Sequence, residues 1–267
     1  MSDKDFNNVR RAIETAGAPV WSIHSTEMAP RPGEPASAIL NHHKKIIERG
    51  AALGARCITH HPGQWHGLGK KISDPNFMKS LLDTLPKGYA RMVHVEVLQA
   101  IKQEARSFGI EPTIETCPTY IYGGGLFWSP DRLISLADEA GVGICYDTGH
   151  WYYSGIEPIR ALSAIDYRLK ETHFSDSFGK ISPDYRGCDV HTPCGIGVIN
   201  WPAVICMLEK IGYKRPVVFE QNDSTGIELG VLEGGRISIS NWRVFEKLAT
   251  QYKPLRNHIE KSICNVD

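Results

Sequence analysis

Short apolar runs in this chain end in residues able to do chemistry. His24 follows "VWSI", His60 and His61 follow "RCIT", Glu115 closes "PTIE", Asp147 and His150 follow "ICY", His173 closes "LKETH", and Glu220 follows "PVVF". A carboxylate in an apolar strand loses several kcal/mol of hydration unless a cation or hydrogen bonds replace it. Glu115 and Glu220 meet that problem directly, and His173 shares it. Asp147 taken alone is as well explained as a helix cap, and His150 alone reads as a packed, hydrogen-bonded histidine. Equivalent placement on successive strands favours one common explanation. Glu115, Asp147, His173 and Glu220 make an oxygen-rich set that suits Mn, Mg, Co or Zn.

Such a set needs a scaffold that gathers strand ends. The apolar runs at 19–25, 56–62, 112–118, 143–150, 169–177 and 216–221 alternate with helical patterns near 37–53, 75–84, 89–107, 130–140, 157–165, 201–211 and 241–251. Repeated βα units with nearly all-apolar strands predict a parallel sheet covered by helices. In a closed barrel all strand C-termini open on one mouth, whereas a doubly wound sheet strings them along a line. The positions of the polar residues favour the barrel. Gly123-Gly124-Gly125 lacks the spacing and the helix start of a dinucleotide fingerprint. The expected fold is an α/β, TIM (β/α) barrel. It forms a single domain over 1–267, with its motifs in about 19–221 and a C-terminal extension at 222–267.

The chain's 267 residues carry 30 Lys plus Arg against 30 Asp plus Glu, and the basic residues occur only in short groups such as Lys44-Lys45 and Lys70-Lys71. No polybasic stripe is available to hold a nucleic-acid backbone, which disfavours nucleic acid as a partner. The seven cysteines, an odd number without a CxxC pair, read as reduced thiols of a cytoplasmic protein. The N-terminus is polar and helical in pattern, and no apolar run is long enough to span a membrane.

The segments "IETCP", "YDTGH", "THFSDS", "DVHTPCGIGVINW" and "VVFEQ", in that order, resemble the metal-dependent barrel superfamily of xylose-isomerase-like sugar isomerases and epimerases, which also contains endonuclease IV. In its sugar epimerase branch the strand-end Glu, Asp, His and Glu hold one divalent metal. That carries over to Glu115, Asp147, His173 and Glu220. The resemblance also implies that Glu115 and Glu220 act as acid and base on opposite faces of a small sugar or sugar derivative. The expected activity is isomerisation or epimerisation by proton transfer through a metal-stabilised enediolate. His150 would bind substrate oxygens, and Trp65, Lys170 and the Phe127-Trp128 pair are candidate pocket walls.

The endonuclease IV branch implies another outcome: three zincs and hydrolysis of a phosphodiester in abasic DNA. His24, His61, His150, Asp189 and His191 are its candidate extra ligands, and each can equally bind sugar hydroxyls. Neutral net charge favours sugar chemistry, since a repair enzyme must neutralise several phosphates. The family's "GEGDIDW" loop has Ile196 in place of its usual acid, in "GIGVINW". Counting back from "YDTGH" makes the His24 strand the third of a barrel, so one or two N-terminal strand–helix units are absent. Either "RISIS" (236–240) substitutes, or a homo-oligomer partner covers the open edge. Outside the motifs, His42-His43 reads as an exposed helical pair, His94 and His258 show no partner pattern, and Gly67–Lys71 reads as a loop rather than a phosphate cradle.

Overall fold

A computed structural model describes residues 2–25, 29–63, 65, 75–116, 129–178, 191–221 and 231–251. The chain divides into two compact units, Met1–Ile144 and Cys145–Asp267. The first unit holds α1 (Asp3–Ala16), β1 (Ser22–Ser25), α2 (Ser37–Ala52), β2 (Cys57–His60), α3 (Pro75–Asp83), α4 (Tyr89–Ser107), β3 (Glu111–Glu115) and α5 (Pro130–Ala140). β4 (Gly143–Asp147) runs into the second unit, which holds α6 (Thr148–Tyr153), α7 (Pro158–Ile165), β5 (Leu169–His173), α8 (Trp201–Lys210) and α9 (Val231–Gln251).

In the first unit β1, β2 and β3 pair in parallel, with His24 opposite Thr59, Thr59 opposite Thr113, and His60 opposite Ile114. Every residue of β2 is buried, as expected of an inner parallel strand covered on both faces. Alternation then sorts its side chains. Cys57 and Thr59 meet Thr113 on one face, with Thr59 Oγ1 2.9 Å from Thr113 Oγ1, and by the same period Glu115 shares the face of Thr113. His60 turns to the other face, where its ring lies 5.3 Å from that of His43 on α2. The connecting helices carry ordinary stop signals. Ser129 caps α5 with Pro130 in its first turn, and Gly141 ends it at φ 68°, where a residue without Cβ is favoured.

In the second unit β5 is extended by backbone bonds to the 217–220 segment: Phe174 N–H donates to the Val218 carbonyl and Glu220 N–H to the Phe174 carbonyl. The expected strand at 216–221 is thus a single parallel bridge, Phe219 to Phe174. Phe174, Trp201, Phe219 and Trp242 form an aromatic cluster with ring separations of 5.4–6.2 Å. It fixes α8, α9 and the bridge together.

Three further expectations are corrected. "RISIS" is no strand: residues 236–240 lie inside α9, which starts ten residues before the expected helix. Its alternation is short, whereas Trp242, Phe245 and Ala249 continue a helical period and pack on Ile205 and Cys206 of α8. His43 is buried, not exposed, because α2 lays that side over His60. His94 is also buried. Its Nε2 accepts from Gly63 N–H at 2.9 Å and its Nδ1–H donates to the Ala90 carbonyl. Cys57, Cys145, Cys194 and Cys206 are buried free thiols. Among the described residues no helix is long and apolar enough to cross a membrane. His258, Phe127-Trp128, Asp189 and Gly67–Lys71 lie outside the described residues.

Burial pushes the His94 pKa down from 6.5 to about 4. The unfolded chain therefore takes up this proton first as the pH falls, and the stability His94 contributes is complete above 6.5 and lost on the way down through 4. The loss should be on the order of 3 kcal/mol. Urea denaturation across that range should show it, and His94→Gln, which retains an acceptor for Gly63, should flatten that part of the pH dependence.

Candidate metal centre

Glu115 closes β3 with no exposure to solvent. Two imidazoles from neighbouring strands converge on one of its oxygens. His24 Nε2 lies 3.1 Å from Oε2 and His61 Nε2 lies 3.4 Å from it. Their rings are 4.6 Å apart, and the three ligand atoms all fall within 4.8 Å of one another. Residue type and strand position together produce this. β1 delivers His24 and the position just after β2 is His61; the parallel register sets His61 level with the end of β3 and His24 level with Thr113, two residues earlier on the face that Glu115 shares. The triple can share a proton between imidazole and carboxylate, or hold a cation with two nitrogens and an oxygen. His60, the neighbour of His61, points away from it. Burial first, then the proximity of His43, His24 and His61, holds its pKa well below the usual histidine range. It is a neutral residue of the helix side.

The second unit holds the other candidates. Asp147 ends β4 and caps α6, its Oδ1 accepting from His150 N–H at 2.6 Å. Ligand and cap are therefore not alternatives at this position: a carboxylate has two oxygens, and the cap uses one. The cap also sets His150, whose Nδ1 lies 3.9 Å from the same oxygen and whose ring stands edge-on to that of His191 at 5.5 Å. Next to Asp147, Thr148 Oγ1 donates to the Ser175 carbonyl at 2.6 Å and ties the turn to the end of β5. His173 closes β5, and its Nδ1 lies 2.9 Å from Glu220 Oε2. The backbone bridge between Phe174 and Phe219 brings these two side chains side by side.

The weaker pocket-wall candidates fall elsewhere. Trp65 is 2 % exposed and packs against Ala29, Val93 and, edge-on at 5.0 Å, the His94 ring. Lys170 stands near the start of β5, its Nζ donating to the Tyr167 carbonyl at 2.9 Å. That is three residues, roughly 10 Å along a strand, before His173. Asp176 was not anticipated. It is buried and accepts from three backbone N–H groups and the Trp201 indole. Its place in "HFSDS" beyond a strand-terminal histidine was the available signal.

The sequence profile of the family described as "Xylose isomerase-like TIM barrel" matches residues 1–240. The chain is 24 % identical to an inosose dehydratase of Clostridium beijerinckii over 65 % of this chain and 55 % of that protein. Its fold is similar to that of the IOLI protein with a bound zinc atom, at a TM-score of 0.67 and 15 % identity, covering 91 % of this chain and 83 % of that one. It is also similar in fold to a D-psicose 3-epimerase in the presence of D-fructose, at a TM-score of 0.66 and 14 % identity, covering 93 % and 84 %. The barrel class is thereby established.

The cap formed by Asp147 has a measurable signature. In metal-free protein Asp147→Ala should cost about 1 kcal/mol by loss of the cap, whereas Asp147→Asn, an equally good cap, should be close to neutral. Thermal and urea denaturation of the two variants should separate them.

Proposed function

The chain belongs to the xylose isomerase-like TIM barrel family, and on that premise we propose that it is a divalent-metal-dependent sugar isomerase or epimerase. The observation that carries this reading is Glu115: a carboxylate without solvent exposure, at a strand end, with imidazole nitrogens at 3.1 and 3.4 Å. The proposed ligands are Glu115, Asp147, His173 and Glu220. Support comes from their placement. Glu115, Asp147 and His173 each close a strand, and Glu220 directly follows the bridge beside β5. In this fold such positions open on one mouth. The donor chemistry, three carboxylates and an imidazole, suits Mn, Co, Mg or Zn.

A cation bound there would polarise a ketose carbonyl and acidify the proton on the neighbouring carbon. The residues do the rest. One of Glu115 and Glu220 removes that proton, and the other returns one from the opposite face. His24 and His61 orient Glu115, while His150 and His191 bind substrate hydroxyls. Proton removal beside a carbonyl is also the first half of a dehydration, so the likeness to an inosose dehydratase is compatible with the same machinery acting on a keto-polyol.

A second reading is a zinc-dependent phosphodiesterase acting on abasic DNA. It is favoured by one observation, the His24–His61–Glu115 triple, which could hold a cation of its own. Against it stands the equal count of 30 basic and 30 acidic residues, since phosphate binding calls for a basic surface.

Metal analysis and one assay decide between them. One Mn or Co per chain, with solvent deuterium entering a ketohexose such as D-psicose beside its carbonyl, supports the first reading. Three zincs and cleavage of an abasic duplex would replace it with the second. Glu115→Gln and Glu220→Gln should each lower the exchange rate by roughly 10²- to 10⁴-fold, and chelation should abolish it. Asp147→Asn, near neutral for stability, should lose metal affinity.

A further inference from the structure

We infer that Asp176 is a positioning residue whose carboxylate clasps the 191–201 segment and thereby places His191 beside His150. Its Oδ1 accepts from Ser177 N–H at 2.9 Å and Ile199 N–H at 3.1 Å. Its Oδ2 accepts from Gly195 N–H at 2.7 Å and from the Trp201 indole Nε1–H at 2.8 Å. Two donors on each oxygen use the whole acceptor capacity of a carboxylate. Asp176 is 1 % exposed, and its four bonds are charge-assisted in a dry setting. A group so committed has nothing left for a cation or a proton, so its role is to hold.

What it holds is specific. The Asp176 N–H donates to the Thr192 carbonyl at 2.7 Å, forming an antiparallel bridge. His191 precedes Thr192 and has φ 38°, a left-handed conformation that a residue with a side chain keeps only when its surroundings impose it. The bridge on one side and the clasp at 195–201 on the other supply that imposition. Gly197 is part of the fit: a Cβ there would overlap Asp176 Oδ1 and the Ser177 carbonyl, so only glycine lets the backbone approach the carboxylate. The outcome is the edge-on His150–His191 pair, 5.5 Å between rings, next to the α6 cap. The consequence for substrate rests on the sugar-enzyme reading above, but the positional claim does not.

The test is histidine acylation by diethyl pyrocarbonate on the full chain, read site by site by mass spectrometry. Asp176→Asn is disruptive despite its shape, because either amide orientation turns an NH₂ toward two N–H donors. Modification of His191, 7 % exposed in the intact chain, should accelerate by about tenfold or more, as expected when a local closing interaction is lost. His60 and His94, buried in the first unit, should keep their slow rates. Gly197→Ala, which displaces the carboxylate without altering it, should give the same selective pattern and serves if Asp176→Asn does not fold. An unchanged rate at His191, or a parallel rise at His60 and His94, would overturn the proposal. In the ketohexose exchange assay Asp176→Asn should raise KM more than it lowers kcat, and should add nothing in a His191→Ala background. If the intact chain exchanges no ketohexose proton, the proposed function fails while the acylation rates still decide the role of Asp176.

Discussion

A carboxylate buried as deeply as that of Glu115 dictates what surrounds it. Removing its charge from water costs more than any single neighbour returns, so the chain supplies several partners at once. Two imidazoles approach one of its oxygens, and each arrives from a different strand. That arrangement requires parallel strands ending at one level, and the register of β1, β2 and β3 provides it. Helices covering the opposite face follow as a second requirement, since parallel strands buried on both sides need apolar cover. The scaffold of the first unit can be read outward from this one charge.

The second unit solves a related problem with other means. Its polar groups are organised by backbone amides. Asp147 takes the first turn of α6, Asp176 takes the 195–201 amides and an indole, and Thr148 takes the Ser175 carbonyl. Each bond both satisfies a buried polar atom and fixes a side chain nearby, so stability and preorganisation come from the same contacts. Histidines end up at the termini of this network, at 150, 173 and 191, where the imidazole has the least freedom to turn away.

Much of this was legible in the chain itself. Apolar runs that end in Glu, Asp or His mark strand termini because a polar side chain is tolerated there and not in the middle, and five strands lie where those runs predict. Less legible was anything decided by tertiary packing. "RISIS" alternates like a strand, yet the aromatic cluster around Trp242 draws it into α9. His43 looks like a solvated helix residue until β2 turns His60 toward it. In the sequence Asp147 poses a choice between cap and ligand, because a sequence does not count oxygens separately. "HFSDS" marks the position of Asp176 but not its role, because three of its four donors lie 19–25 residues downstream and only the fourth, Ser177, is adjacent.

The hydroxyl pair beneath Glu115 carries one more implication. Thr59 and Thr113 meet at 2.9 Å in a setting where valines would fill the same volume. Hydrophobic cover alone is tolerant of sliding between two uniformly buried strands, but a slip of one residue turns every side chain to the opposite face. Two hydroxyls that bond to each other, to the Cys57 thiol and to the Ile58 carbonyl reject such a slip, since it would leave them dry and unbonded. The pair acts as a register pin, and what it pins, two residues further along β3, is the direction in which Glu115 points.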